Sequence, residues 1–271
     1  MDVLNHKEQS LRARLRALGR VAVAFSGGTD SSLLLAVARE ELGDDVVAFT
    51  ALSPAFPHRE RETAERFCRE RGIRQITFPA PLWDSPELLS NQRERCYRCK
   101  RAFLERVWEL ARQEGCTALA EGSNVDDLGD FRPGMKAVEE LGVLSPLREA
   151  GLTKAEVRAL SRDMGLPGWN QPSAACLASR IPWGEPITAE KLALVEQAED
   201  YLHSLGFGQL RVRLHGTLAR VELPPEDFSR LLERREAVYE RLRSLGCSFV
   251  SLDLLGYRTG SLNEGAAGGM Q

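Results

Sequence analysis

The first apolar positions are Leu11, Leu15 and Leu18, spaced four and three apart, which predicts an amphipathic helix. The run Val21–Phe25 has no polar alternation, as expected of a parallel strand buried on both faces. It ends in Ser26-Gly27-Gly28-Thr29-Asp30-Ser31-Ser32. A helix is predicted over 32–42, apolar round much of its surface and stopped at Gly43. Val46–Leu52 predicts a second strand, 60–71 a charged helix closed by Gly72, and Ile76–Phe78 a third, short strand. Strand, helix, strand, helix, strand is the order of a doubly wound α/β layer around a parallel sheet.

Residues 79–95 are polar and turn-rich, so a surface loop is expected. A helix over 100–113 carries Phe103, Val107, Leu110 and Ala111 on one face, and 117–120 predicts another strand. Thr153 and Glu156 have the spacing of a capping box for a helix ending at Gly165. Pro167, Pro172, Pro182 and Pro186 punctuate a stretch of little periodicity. A first domain over 1–166 and a linker over 167–186 are therefore expected.

The pattern changes after it, to a smaller α+β domain over 187–271. Thr188 is placed to cap a helix bearing Leu192, Val195, Leu202 and Leu205. Strands over 210–214 and 218–223 alternate, with a turn at His215-Gly216-Thr217. A helix over 225–245 and a strand over 249–254 follow, and 265–271 resembles a frayed tail.

Composition narrows the function. The 271 residues suit one large or two modest domains, and 43% hydrophobic content is enough for a core. Lys and Arg number 36 against 39 Asp and Glu, a net charge of −3. That balance offers no general attraction to a polyanion and argues against a nucleic-acid partner. No apolar run approaches the ~18 residues of a membrane span, and no secretory segment follows Met1. A cytoplasmic location is expected, where the six cysteines would not form a disulfide framework.

The junction at 26–32 carries the strongest chemistry. Gly27 and Gly28 let backbone approach an anion, the following helix points its N–H groups and dipole there, and Ser26, Ser31 and Ser32 add hydroxyls. Neither Gly-x-x-x-x-Gly-Lys nor Gly-x-Gly-x-x-Gly is present. Magnesium across bound phosphates calls for acidic groups. Asp30 is one candidate, and the segment holding Asn124, Asp126, Asp127, Asp130 and Arg132 supplies others. That segment follows a strand, at the sheet edge where ligands of such folds bind. The backbone near Ala51 could read an adenine edge.

Cys96-Tyr97-Arg98-Cys99 stands just before a predicted helix, whose N-terminus would favour thiolate. Alone it is a redox pair, a metal half-site or chance. Cys176 lies in the proline-rich stretch, while Cys68, Cys116 and Cys247 sit in apolar contexts that suit core residues. In the second domain, period 2 puts Arg211 and Arg213 on one strand face and Arg220 and Glu222 on the next, with Arg258 able to join. Arginine forks suit phosphate and carboxylate; a solvated face is the alternative.

The loop at Ser26 resembles the Ser-Gly-Gly-x-Asp-Ser loop of the pyrophosphate-loop ATPases, which cut ATP between its α and β phosphates. With the 124–134 segment, the stretch from Cys176 through Ser179 and Arg180 to Gly184, and Arg211-Val212-Arg213, nearly the whole chain resembles the LarE-type sulfur transferases. The resemblance implies adenylation of the carboxylates of a pyridinium biscarboxylate mononucleotide and their conversion to thiocarboxylates for a nickel-pincer nucleotide. It implies ATP bound by Ser26, Gly27, Gly28, Asp30, Ser31, Ser32, Ala51, Asn124, Asp127 and Arg132, with Mg2+. It implies substrate contacts at Ser179, Arg180, Arg211, Arg213, Glu222 and Arg258.

One branch of that family sacrifices a cysteine at the position of Cys176; another holds a 4Fe–4S cluster on three cysteines. Cys96, Cys99 and Cys176 match the second pattern, and Cys176 remains the candidate donor under the first. The expected partner is a small nucleotide, without nucleic acid or membrane, and the expected assembly a homo-oligomer. Thiolation of tRNA, ammonia-dependent ligation and non-enzymatic nucleotide sensing are the competing functions.

Overall fold

The computed structural model describes residues 3–80, 85–129, 134–170, 175–258 and 260–262. They fall into two compact units. The first comprises Met1–Ser53, His58–Ser85 and Glu94–Ala174; the second comprises Pro54–Pro57, Pro86–Arg93 and Ala175–Gln271. The stretch 167–186, expected as a linker, therefore divides between the two units at 174/175.

In the first unit, strands β1 (Val21–Ala24), β2 (Val46–Leu52), β3 (Arg74–Pro79) and β4 (Ala118–Ala120) form a parallel sheet in the order β3-β2-β1-β4. Every residue of β1 is buried, as a central strand covered on both faces requires. Val21, Val23 and Phe25 join the main core with Leu11 and Leu15 of α1 (Val3–Arg16), Leu33, Leu34 and Leu35 of α2 (Thr29–Leu42), and Phe67 of α3 (His58–Glu70). From β1 the chain winds outward through β2 to β3, then returns to place β4 on the other side of β1. That reversal is a topological switch point, and the loops after β1 and β4 lie side by side at it.

α4 (Pro86–Leu89) interrupts the expected loop over 79–95 and belongs to the second unit. α5 (Arg95–Gln113) begins five residues before its expected start, so Cys96 and Cys99 lie inside its first turns rather than ahead of them. α5 packs on β1 and β2 and against α6 (Gly134–Glu140). α6 and α7 (Pro146–Glu149) were not expected; seven and four residues are too few to show a helical period. α8 (Lys154–Asp163) opens with the expected capping box, Thr153 and Glu156 exchanging both bonds.

The second unit centres on α9 (Ala189–Ser204) and a sheet in the order β5-β6-β7, formed by β5 (Arg211–His215), β6 (Leu218–Glu222) and β7 (Phe249–Leu252). β5 and β6 form the expected antiparallel hairpin, and β7 runs parallel to β6. Thr188 caps α9 by accepting the Lys191 N–H. The single helix expected over 225–245 is broken into a 3-10 turn, α10 (Phe228–Glu233) and α11 (Arg235–Ser244).

Asn91, fully buried and at φ 58°, ties the 86–93 insertion to this unit. Its Nδ2 donates to the carbonyls of Ile181 (3.2 Å), Pro182 (2.7 Å) and Glu185 (3.0 Å). Among the described residues, no helix is long and apolar enough to cross a membrane.

Candidate active site

The loop after β1 is shaped from within. Ser26 Oγ and Ser31 Oγ are 3.1 Å apart, and Ser31 Oγ donates to the Gly28 carbonyl at 3.1 Å. Gly27 takes φ 78°, a left-handed conformation natural to glycine, and a Cβ there would lie 3.1 Å from the Ala64 Cβ of α3. Gly28 is the N-cap of α2 but has no side chain, so no side-chain hydrogen bond closes the helix end. The first-turn N–H groups of a 14-residue helix thus face the loop, the arrangement that holds a phosphate.

β4 delivers the second wall. Gly122 lies so close that a Cβ on it would be 2.9 Å from Ser31 N and 3.0 Å from Ser31 Cα. Glu121, buried just before it, accepts from Ser123 Oγ (2.9 Å), Ser145 Oγ (2.8 Å) and Lys100 Nζ (3.3 Å). Burial opposes ionisation of this carboxyl, but the Lys100 charge and the serine hydrogen bonds outweigh it and hold it below the usual carboxylate range.

Asn124 Nδ2 donates to Asp30 Oδ1 at 3.1 Å, joining two expected nucleotide residues. Asp127 instead turns inward and accepts the Asn124 backbone N–H at 2.9 Å. Ala51 is buried in β2, and Arg132 and Asp130 fall outside the described residues. One residue at this loop was not anticipated: Lys154, which pairs with Asp30 Oδ2.

The cysteines sort by exposure. Cys68, Cys116 and Cys247 are buried, as expected of core residues. Burial pushes the Cys68 thiol up to about 12 and raises Cys116 and Cys247. Cys96 is exposed, with an Arg95 Nη2 3.6 Å from its sulfur, and Cys99 is half-buried one turn on. Cys176 is half-buried in the second unit. Among the described residues, no group of three or more His, Cys, Asp or Glu side chains is gathered as a metal ion would need.

The arginine face of the second unit is not solvated. Arg211 and Arg213 are buried although they alternate with the equally buried Val212 and Leu214. Glu222, opposite Arg211 in the hairpin and fully buried, pairs with Arg213 (3.0 Å) and Arg220 (3.0 Å) and accepts from Ser261 Oγ (2.6 Å). Arg213 also donates to the Ser179 carbonyl at 2.9 Å. Arg211 lies over the Tyr257 ring, 5.3 Å from its centre. Arg258 and Arg220 meet on Asp253, at 3.4 and 3.5 Å.

Arg180 is committed to the protein. It forms a two-pronged pair with Glu199, both bonds 2.9 Å, and donates Nη1 to the carbonyls of Ala175 (2.5 Å) and Cys176 (3.0 Å). It therefore fixes the backbone that carries Cys176. Burial opposes ionisation of Glu199, and the Arg180 charge with hydrogen bonds from Arg180 and the Val212 N–H overcomes it, lowering the carboxyl below its usual range. Glu199 had escaped notice, yet Val195, Glu199 and Leu202 share one helical stripe; a charge among buried apolar residues was the available signal.

Residues 3–81 match the family described as asparagine synthase. With a parallel sheet, an open helix end after β1 and the Ser-Gly-Gly-x-Asp-Ser loop, this defines an ATP-using enzyme of the pyrophosphate-loop class. An uncharacterized protein of Synechocystis is 40% identical, covering 97% of this chain and 98% of the relative. The pyridinium-3,5-bisthiocarboxylic acid mononucleotide synthase of Lactiplantibacillus plantarum is 38% identical, covering 97% of this chain and 96% of that enzyme. An uncharacterized protein of Methanocaldococcus jannaschii is 25% identical over 89% of this chain and 91% of its own. The chain belongs to the LarE family of ATP-dependent sulfur transferases.

Two outcomes follow from the site's packing. Gly122→Ala must push the Ser31 backbone away, because both close atoms are main chain. Relief to ordinary contact takes about half an ångström, and a misplacement of 1 Å costs about a hundredfold; steady-state kinetics with ATP varied should show a loss of about tenfold, with a melting temperature lowered by overpacking of about 1–3 kcal/mol.

The depressed Glu199 carboxyl contributes stability that is present above its unfolded value, about 4.3, and is lost as pH falls through its folded value. The melting temperature should drop as acid is added below about pH 4.3. Glu199→Gln should cost about 3–5 kcal/mol at pH 7, by stranding Arg180, and should flatten that acid limb. Thermal melts across pH 3 to 8 check both.

Proposed function

We propose that this protein uses ATP to adenylate the carboxylates of pyridinium-3,5-biscarboxylic acid mononucleotide and converts them to thiocarboxylates, as part of making a nickel-pincer nucleotide. The full-length match to an enzyme named for the bisthiocarboxylic product carries this reading. The open end of α2 supports it as a seat for phosphates.

A substrate carboxylate oxygen attacks the α-phosphorus, and the bond to the α,β-bridging oxygen breaks. That oxygen leaves with the electron pair as pyrophosphate. A carboxylate has no leaving group of its own; the acyl adenylate gives it one, AMP. A sulfur nucleophile adds to the carbonyl carbon, and AMP departs with the electrons of the C–O bond.

In this reading Ser26, Gly27, Gly28, Ser31 and Ser32 bind phosphate, Asp30, oriented by Asn124, would hold Mg2+ to offset phosphate charge, and Arg211 and Arg213 bind the substrate phosphate or carboxylate. Glu222 sets the Arg213 fork, and Arg180 fixes the Cys176 segment.

For the sulfur source, Cys96, Cys99 and Cys176 would hold a 4Fe–4S cluster. Cys96 and Cys99 fit one cluster edge, three residues apart near the start of α5 and not sealed in the core, whereas the buried cysteines with raised thiols do not. Three protein thiolates leave one iron able to carry an exchangeable sulfide. The second reading, sacrifice of Cys176, is favoured by the grip of Arg180 on the backbone carbonyls of Ala175 and Cys176, which holds that cysteine in place without iron.

Turnover should release AMP and pyrophosphate, and Asp30→Ala should abolish both; ADP and phosphate as products would end the adenylation mechanism. Reconstituted anaerobically, the protein should bind about four irons, and Cys96→Ala or Cys99→Ala should lose them together with multiple turnover. If both variants stay fully active while Cys176 loses the elements of hydrogen sulfide and becomes dehydroalanine in intact-mass spectra, sacrifice is the mechanism.

A further inference from the structure

Arg61 has a hydrogen-bond donor without an acceptor. Its Nε is shielded from solvent and meets no partner among the described residues. A buried donor left unpaired costs stability, so one kept in a folded protein calls for an explanation. An arginine that only covers apolar surface with its stem keeps the guanidinium in water. Here the innermost nitrogen is enclosed instead.

The position of Arg61 says what the missing acceptor could be. It lies in the first turn of α3, and that turn presses on the loop after β1. A Cβ on Gly27 would lie 3.2 Å from the Glu60 carbonyl oxygen and 3.3 Å from Ala64 N, the residues on either side of Arg61 in the helix. α3 follows β2 in a parallel layer, so its start lies at the sheet edge where such folds bind ligands.

Arg61 also faces the packed side of α3. Ala64 and Cys68, three and seven residues on, are buried, and Arg61 extends their stripe towards the helix start. Glu65 is exposed four residues on, the spacing of a helical ion pair, yet it supplies no acceptor to the Arg61 Nε.

The loop itself needs a charge. Residues 26–32 contain neither Lys nor Arg, and the open end of α2 supplies only the partial charges of its N–H groups. A guanidinium stays charged at any physiological pH, and its fork matches two oxygens of a phosphate.

We propose that Arg61 is a phosphate-binding residue of the adenylation reaction: its Nε–Nη edge takes oxygens of the β,γ-diphosphate of ATP and holds them as pyrophosphate leaves. This rests on the adenylation reading above. When the bond from the α-phosphorus to the bridging oxygen breaks, its electron pair stays with the pyrophosphate. Arg61 offsets part of that charge and gives up no proton. AMP lacks the diphosphate and gains nothing from Arg61.

Inorganic pyrophosphate and AMP, titrated separately with magnesium into the full-length protein and its Arg61→Met and Arg61→Lys variants, test this. Met keeps a long apolar stem and removes the charge. Arg61→Met should weaken pyrophosphate binding by about tenfold or more, the size of one charge-assisted hydrogen bond. AMP affinity should be unchanged, and the ligand-free melting temperature no lower, because the donor removed had no acceptor. The turnover number for pyrophosphate release should fall by about a hundredfold. Arg61→Lys restores the charge without the fork and should recover part of both losses.

Equal pyrophosphate affinity in wild type and Arg61→Met would overturn the role of Arg61 and leave the adenylation reading intact. A lowered melting temperature with a parallel loss of AMP affinity would make Arg61 a packing residue and overturn the same role. A wild type that binds no pyrophosphate and releases ADP would overturn both.

Discussion

The first unit depends on one unsatisfied helix end. The N–H groups that open α2 have no intrahelical acceptor, and Gly28 offers no side chain to cap them. Left in an apolar interior this would be a cost; at the edge of the sheet it is the arrangement that suits an anion. Its surroundings can be understood as keeping that seat open and rigid. β1 is buried along its length, so the loop starts from a fixed point. Gly27 and Gly122 let α3 and the β4 loop press against it without side chains filling the space. The strand order puts those two loops together, because the winding direction reverses between β1 and β4.

Buried charge is used differently in the two units. In the first, Glu121 is surrounded by two serine hydroxyls and one lysine, and its task is to hold the backbone that approaches Ser31. In the second, Arg180, Glu199, Arg213 and Glu222 form ion pairs almost without solvent. Removing ions from water costs several kcal/mol each, and such pairs often contribute no net stability over apolar residues of the same size. Their retention makes sense if geometry is what they supply. Arg180 defines where Cys176 sits, and Glu222 defines which way the Arg213 fork points.

Much of this was legible before any coordinates. The β1 loop, the parallel layer, the capping box of α8 and the β5–β6 hairpin all declare themselves through local pattern: period, glycine and cap spacing. What was not legible is what depends on contacts between distant segments. Nothing in Thr153-Lys154-Ala155-Glu156 suggests more than a helix start, yet Lys154 reaches Asp30 across the fold. The alternation of Arg211 and Arg213 located the right strand but left burial undecided, since a period of two is the same for a solvated and a buried polar face. The start of α5 was misplaced because Arg95-Cys96-Tyr97-Arg98-Cys99 has no apolar stripe; that turn is helical through its continuity with Leu104, Val107 and Ala111 further along.

The cysteines show how structure ranks residues that composition treats alike. All six carry the same thiol, and sequence could separate them only by motif. Burial adds a chemical criterion. A thiol whose ionisation is suppressed, as in Cys68, is a poor nucleophile and a poor metal ligand at neutral pH, because both tasks belong to the thiolate. Cys116 and Cys247 are shifted in the same direction by the same cause. Cys96, Cys99 and Cys176 are not sealed in a core, and they are the three that the family pattern selects. Two independent arguments, one from burial and one from motif, thus reach the same three residues. The core around Cys68, Cys116 and Cys247 opposes ionisation of their thiols, and that separates them from Cys96, Cys99 and Cys176.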